Sequence, residues 1–190
     1  VTNLFLEEKN FEALIRHVLD KQVEENVLYS EIFLGPHLWS DTPSNRWERF
    51  LEIASKAAGE YKNKYGIHTY FIIVCIRHLG PEKALEASKF ASKAKSYNVV
   101  GFGMAGDEKK FNTLDFMESF NFAMNSGLGI TTHAGEICGA KSVDEAIQLG
   151  VTRIGHGVRA SESEETIIKL TEKNILLEVC PGSNIAMGLY

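Results

Sequence analysis

The sequence predicts an α/β fold on a parallel sheet, of the (β/α)8-barrel kind, and three observations carry the prediction. Apolar, β-branched runs alternate with helical patterns along the chain. Residues able to do chemistry stand at the ends of several different runs, where barrel enzymes collect them. No Gly-x-Gly-x-x-Gly turn opens a helix. The stretch Gly101-Phe102-Gly103-Met104-Ala105-Gly106 matches that string, but its glycines lie within and at the end of a strand-like run, and Asp107-Glu108 would repel a pyrophosphate. An open doubly wound sheet, as in a flavodoxin-like binding module, is the alternative. Six strand-like runs are too few for a closed barrel, and 190 residues fall short of the ~250 typical of one. The expectation is an incomplete barrel.

The strand-like runs are 27–34, 69–76, 99–104, 128–132, 151–154 and 175–179. Helical patterns occupy 8–26, 45–65, 81–96, 114–125, 142–149 and 161–173. The second carries Trp47, Phe50, Leu51, Ile53, Ala54, Ala57 and Tyr61 on one face and starts after the turn residues Thr42-Pro43-Ser44. The third begins with Pro81 in its first turn. Gly66, Asn98, Gly127, Gly150 and Asn174 stand where elements end and suit left-handed caps. No linker, low-complexity tract or charge block divides the chain, so residues 1–190 are expected to form a single domain.

With 44% hydrophobic and 24% charged residues, the composition is that of a globular protein. A net charge of −5 with scattered basic residues excludes an electrostatic footprint for nucleic acid or an acidic membrane. No apolar run is long enough to cross a bilayer. The three cysteines, Cys75, Cys138 and Cys180, form no Cys-x-x-Cys pair. Their odd number, and a start at Val1-Thr2-Asn3-Leu4-Phe5-Leu6 without a basic, apolar leader, predict a reducing, cytoplasmic setting.

The chemistry concentrates in two motifs. Thr132-His133-Ala134-Gly135-Glu136 and Arg153-Ile154-Gly155-His156-Gly157 each end a strand-like run, and each delivers a histidine to the carboxyl rim of the sheet. After His133, Ala134-Gly135 allows a tight turn that returns the Glu136 carboxylate toward the same pocket, where it can serve as an acid. A helix-start acid is the plainer role for Glu136. His156 lies between glycines that permit close approach, and Arg153 fits a structural ion pair better than a substrate clamp. Asp107 and Glu108 could support the site residues from behind or, as the plainer role, cap the segment that follows them. Glu178 and Ser183 are candidates to orient an imidazole. Cys180 has no second cysteine nearby, and the Pro-Cys-x-x-Cys of one class of zinc deaminases is absent. His17 and His68 read as structural. His37 and Arg77-His78 follow strands on the correct rim.

Taken in order, these blocks resemble the adenosine/AMP deaminase family, zinc-dependent (β/α)8 barrels of the amidohydrolase-like kind. The carrying residues are the two histidine motifs, Met104-Ala105-Gly106-Asp107-Glu108, Glu178-Val179-Cys180-Pro181 with Ser183-Asn184, and Tyr29-Ser30-Glu31 before Pro36. The resemblance, nearest to the bacterial adenosine deaminases, implies a TIM barrel of which this chain covers roughly strands 2 to 7. It implies hydrolytic deamination at C6 of a purine, adenosine to inosine plus ammonia, with Zn2+ as cofactor and a purine nucleoside as small-molecule partner. His133 would be a zinc ligand, Glu136 would donate a proton to ring nitrogen N1, His156 would deprotonate or orient the attacking water, and the Gly106 N–H would hold ring nitrogen N3.

The departures carry expectations too. The family's site also uses a His-x-His pair on the first strand and an aspartate on the eighth; neither the pair nor an Asp-Asp after a final strand occurs in this sequence. The chain therefore reads as truncated at both ends, inactive and weak in zinc binding by itself, with barrel edges exposed to association. Gly103 stands where an aspartate is common in animal members. An adenine or other 6-aminopurine deaminase, or a catalytically silent purine-binding homologue, fits the same blocks.

Overall fold

The protein is described by a computed structural model covering residues 7–40 and 44–189, so the expected turn at Thr42-Pro43 and the stretch read for a leader, 1–6, lie outside the described residues. Six strands run in chain order in one sheet: β1 (Tyr29–Leu34), β2 (His68–Ile76), β3 (Val99–Ala105), β4 (Gly129–Ala134), β5 (Arg153–His156) and β6 (Leu176–Glu178). Every neighbouring pair is parallel. Helices α1 (Glu8–Glu24), α2 (Asn45–Tyr65), α3 (Pro81–Lys93), α4 (Met117–Asn125), α5 (Ala140–Gln148), α6 (Glu164–Glu172) and α7 (Pro181–Ala186) alternate with them. This is a curled half-barrel, part of a (β/α)8 fold, and the open doubly wound alternative falls.

Strand β2 shows how the pattern makes two faces. Phe71, Ile73 and Cys75 belong to the core shared with the helices, together with Trp47, Phe50 and Phe102. Ile72, Val74 and Ile76 are equally buried but lie on the other, concave face. There β3 answers with small residues. A Cβ at Gly101 would stand 3.2 Å from the Ile72 side chain, and one at Gly103 would stand 3.0 Å from Thr131 and 3.3 Å from Val74. Large and small side chains alternate across neighbouring strands, so an aspartate at position 103 would not fit this packing.

All five expected end residues are left-handed: Gly66 (φ 76°), Asn98 (63°), Gly127 (74°), Gly150 (81°) and Asn174 (51°). Two differences matter for the site. Strands β4 and β5 run two residues further than their apolar stretches, so His133 and His156 are strand residues. And Cys180-Pro181-Gly182 is no mere turn: Pro181 occupies the first turn of α7. Among the described residues no helix is long and apolar enough to cross a membrane.

Candidate active site

The ladder between β4 and β5 sets His133 opposite Gly155 and Ala134 opposite His156. The two imidazoles therefore meet at the carboxyl rim, ring centroids 5.1 Å apart, with Phe33 of β1 5.9 Å from the His133 ring. Gly155 is the condition for this meeting. A Cβ there would stand 3.0 Å from His133 Nδ1 and 3.3 Å from Cε1. The glycine makes room for a neighbouring side chain of the protein itself. Gly157 has the same duty toward Leu177, in a left-handed turn. If His133 holds a metal, as its counterparts in the resembling family would, Gly155→Ala in the full-length protein is expected to lower metal affinity by ~10–100-fold, the usual cost of disturbing a ligand's surroundings. Competition against a chromogenic chelator reads it, and an unchanged affinity would place the ligand elsewhere.

His156 ends β5 with φ 64°, a conformation that turns its ring back over the rim. Its Nδ1 lies 2.8 Å from Asn184 Oδ1 and its Nε2 3.5 Å from Glu136 Oε1. The ring is thus held between the Asn184 amide at Nδ1 and the Glu136 carboxyl at Nε2. Asn184 is buried on α7, and it, rather than Glu178 or Ser183, orients the imidazole. Reading Pro181 as a helix start would have pointed to it, since residue 184 then returns over the rim one turn on. Glu178 goes to Arg153, at 3.2 Å, and accepts from the Thr131 hydroxyl at 3.3 Å. Arg153 also pairs with Glu31 at 2.6 Å, which makes it the structural ion-pair partner its sequence suggested. Tyr29 donates to Glu31, and that bond, with burial second, pushes its phenol up to about 12.

A cavity of about 520 Å3 on the concave face is bounded by Glu31, Phe33, His133, Arg153, His156 and Glu178. His133 and His156 face it together, and Glu136, which does not line it, joins them through its 3.5 Å approach to His156 Nε2. Gly106 is on the same rim one strand over, at φ 105°, with His78, Arg77 and Ile76 as its immediate neighbours. His37 is buried against Trp47 and bonded to Glu86, and His17 and His68 are exposed, all away from the cavity.

Burial, then the proximity of His156, lowers the His133 pKa, against the pull of the Met104 backbone. The ring is neutral at pH 7, the form that ligates a metal. Its buried Nδ1 has no hydrogen-bond partner. An orphaned nitrogen on a neutral imidazole fits a metal ligand. Among the described residues, however, no group of three or more His, Cys, Asp or Glu side chains converges on one point. His133 fits as one ligand of a shell whose other members are not among these residues.

Two buried charges hold the segment from behind. Beyond Phe102 and Ile130, β3 and β4 no longer pair. The His133 carbonyl accepts from Arg77 Nη2 at 3.2 Å, and Arg77 Nη1 donates to Thr113 Oγ1 at 3.1 Å. Arg77 does not line the cavity; it braces the strand that does. Glu108, expected to cap its own following segment, crosses instead to the loop after β4 and accepts from the Gly135, Ile137 and Cys138 amides.

A family model described as adenosine deaminase matches residues 1–190. An adenine deaminase of Agrobacterium fabrum is 38% identical over all of this chain, which spans 58% of that protein's length. The crystal structure of adenine deaminase from Arthrobacter aurescens superposes with a TM-score of 0.87 at 26% identity, over 96% of this chain and 56% of that one. A COG1816 amidohydrolase from Burkholderia ambifaria, solved with bound Zn, gives a TM-score of 0.79 at 22% identity over 94% of this chain and 50% of that one.

Proposed function

Because this chain belongs to the adenosine deaminase family, we propose that the full-length protein hydrolytically removes the amino group from C6 of a 6-aminopurine. The observation that carries the reading is the joining of Glu136, His156 and the orphaned His133 nitrogen at one rim. Proton donor, proton acceptor and metal ligand are the parts such a reaction needs. His133 would hold a zinc ion, whose contribution is to make water a nucleophile at neutral pH.

The chain's own residues supply the rest. His156, held by Asn184 with Nε2 toward Glu136, takes a proton from the attacking water and passes it to the amino group, which leaves C6 as ammonia while the O6 hydroxyl proton restores Glu136. Glu136 donates a proton to ring nitrogen N1, which draws electrons from C6 and opens it to attack. The Gly106 N–H would hold ring nitrogen N3. Adenine is the substrate we favour, since the 38%-identical relative carries that name. Adenosine, named by the family model, is the second reading. With a single ligand in place, the 190-residue chain alone is expected to bind zinc weakly and turn nothing over. The test is zinc-loaded full-length protein assayed spectrophotometrically on adenine, adenosine and AMP side by side. Loss of the amino group from adenine supports the first reading and from adenosine the second. Inertness toward all three sinks both and favours a silent homologue.

A further inference from the structure

Glu108 is 5% exposed, yet its carboxylate is spent on a segment some thirty residues further along the chain. Oε1 accepts from the Gly135 amide at 2.5 Å and lies 3.1 Å from the Ser142 hydroxyl. Oε2 accepts from the Ile137 and Cys138 amides, both at 2.6 Å. The carbonyls of the same turn are taken from the other side. Arg159 Nη1 donates to the Ile137 oxygen at 2.5 Å, and the Arg159 amide donates to the Gly135 oxygen at 3.1 Å. Glu136 sits between these anchored peptides, in a turn that Gly135 enters at φ 67°. A Cβ at Gly135 would stand 2.6 Å from Val143, so only glycine lets the turn pack this closely against α5.

We propose that Glu108 is a positioning residue for Glu136, an inference that rests on the reading of Glu136 as proton donor. Three amides aimed at one carboxylate form a nest for negative charge, and such charge-assisted bonds are about twice as strong as neutral ones. Glu108 fixes the peptide plane that follows Glu136, through the Ile137 amide, and the plane that enters Gly135, while the Arg159 amide on the Gly135 oxygen holds the plane between them. What remains free is the side chain itself, already held near His156. Placement to within ~1 Å decides catalytic rate by ~100-fold, and a loop tip without this anchor would not hold it. A glutamine at 108 keeps the volume, but one end of its amide would turn N–H groups against N–H groups.

The experiment compares zinc-loaded full-length wild type with Glu108→Gln, Glu136→Gln and the double variant, reading kcat, KM and bound metal. The expected result for Glu108→Gln is a kcat lower by about 30–100-fold, with KM within about threefold and metal content unchanged. In the Glu136→Gln background the same change is expected to cost nothing more, because it acts through a group already removed. A kcat within threefold of wild type overturns the proposal. So does a loss of activity that follows metal loss in proportion, or one that is undiminished in the double variant. Should Glu108→Gln not fold, Ser142→Ala replaces it, with a several-fold fall in kcat expected at constant KM and an unchanged kcat overturning the proposal. If wild type deaminates no 6-aminopurine, it is the functional reading that falls. The clamp is then judged by amide hydrogen exchange in Glu108→Gln, where lost protection at Gly135, Ile137 and Cys138 supports it and retained protection overturns it.

Discussion

Glu136→Gln in the full-length protein is expected to lower kcat by ~10²–10⁴-fold, the range a positioned general acid contributes. The substitution changes little else. Glutamine has the same shape, the Glu136 side chain is only 12% exposed, and the 3.5 Å approach to His156 can be kept. What is lost is the acidic proton, so N1 of the purine stays unprotonated as charge builds on the ring. KM is expected to move little, because the amide still fills the carboxylate's place. Steady-state kinetics on the preferred purine, with metal content checked, measures this. Turnover within tenfold of wild type would remove Glu136 from the chemistry and leave it the plainer role of a helix-start acid.

Arg77→Met is expected to destabilise the protein by about 3 kcal/mol, since breaking one side of a buried charged arrangement leaves its partners uncompensated. The guanidinium is 2% exposed, and burial lowers its pKa while the charge of Glu108 raises it. It remains a cation at neutral pH. Methionine fills much of the same volume, so the loss is electrostatic rather than a cavity. The His133 carbonyl and the Thr113 hydroxyl lose their donor, and Glu108 loses the attraction of this charge. Urea unfolding read by circular dichroism measures the change. The double variant Arg77→Met/Glu108→Gln is expected to lose less than the sum of the two, because each charge is costly chiefly without the other. Additivity would show that the two groups act independently.

Much of the architecture is legible locally. The span of α2 follows from its apolar face, and β2 from a continuous apolar run buried on both sides. The left-handed ends at Gly66, Asn98, Gly127, Gly150 and Asn174 follow from residues that tolerate positive φ. The meeting of His133 and His156 is also legible, since consecutive parallel strands end at one rim. The role of Asn184 is less legible, because Pro181-Gly182 after a strand suit a turn as well as a helix start. Glu108 and Arg77 were hidden for a deeper reason. Neither announces its partners by spacing, and both act on backbone groups, which every residue carries alike.

By itself, the sequence determines that this chain alternates strand and helix in a parallel α/β unit, and which histidines and which carboxylate face one another. Those features depend on periodicity, caps and strand order, which operate over a few residues or between neighbours in the chain. Only the tertiary structure decides that Gly155 makes room for the His133 ring, that Asn184 holds the His156 ring, and that Glu108 and Arg77 grip the segment from His133 to Cys138. Those contacts join residues from different βα units. The Glu108 and Arg77 hydrogen bonds arise where the β3–β4 ladder stops and buried peptide groups must find other partners.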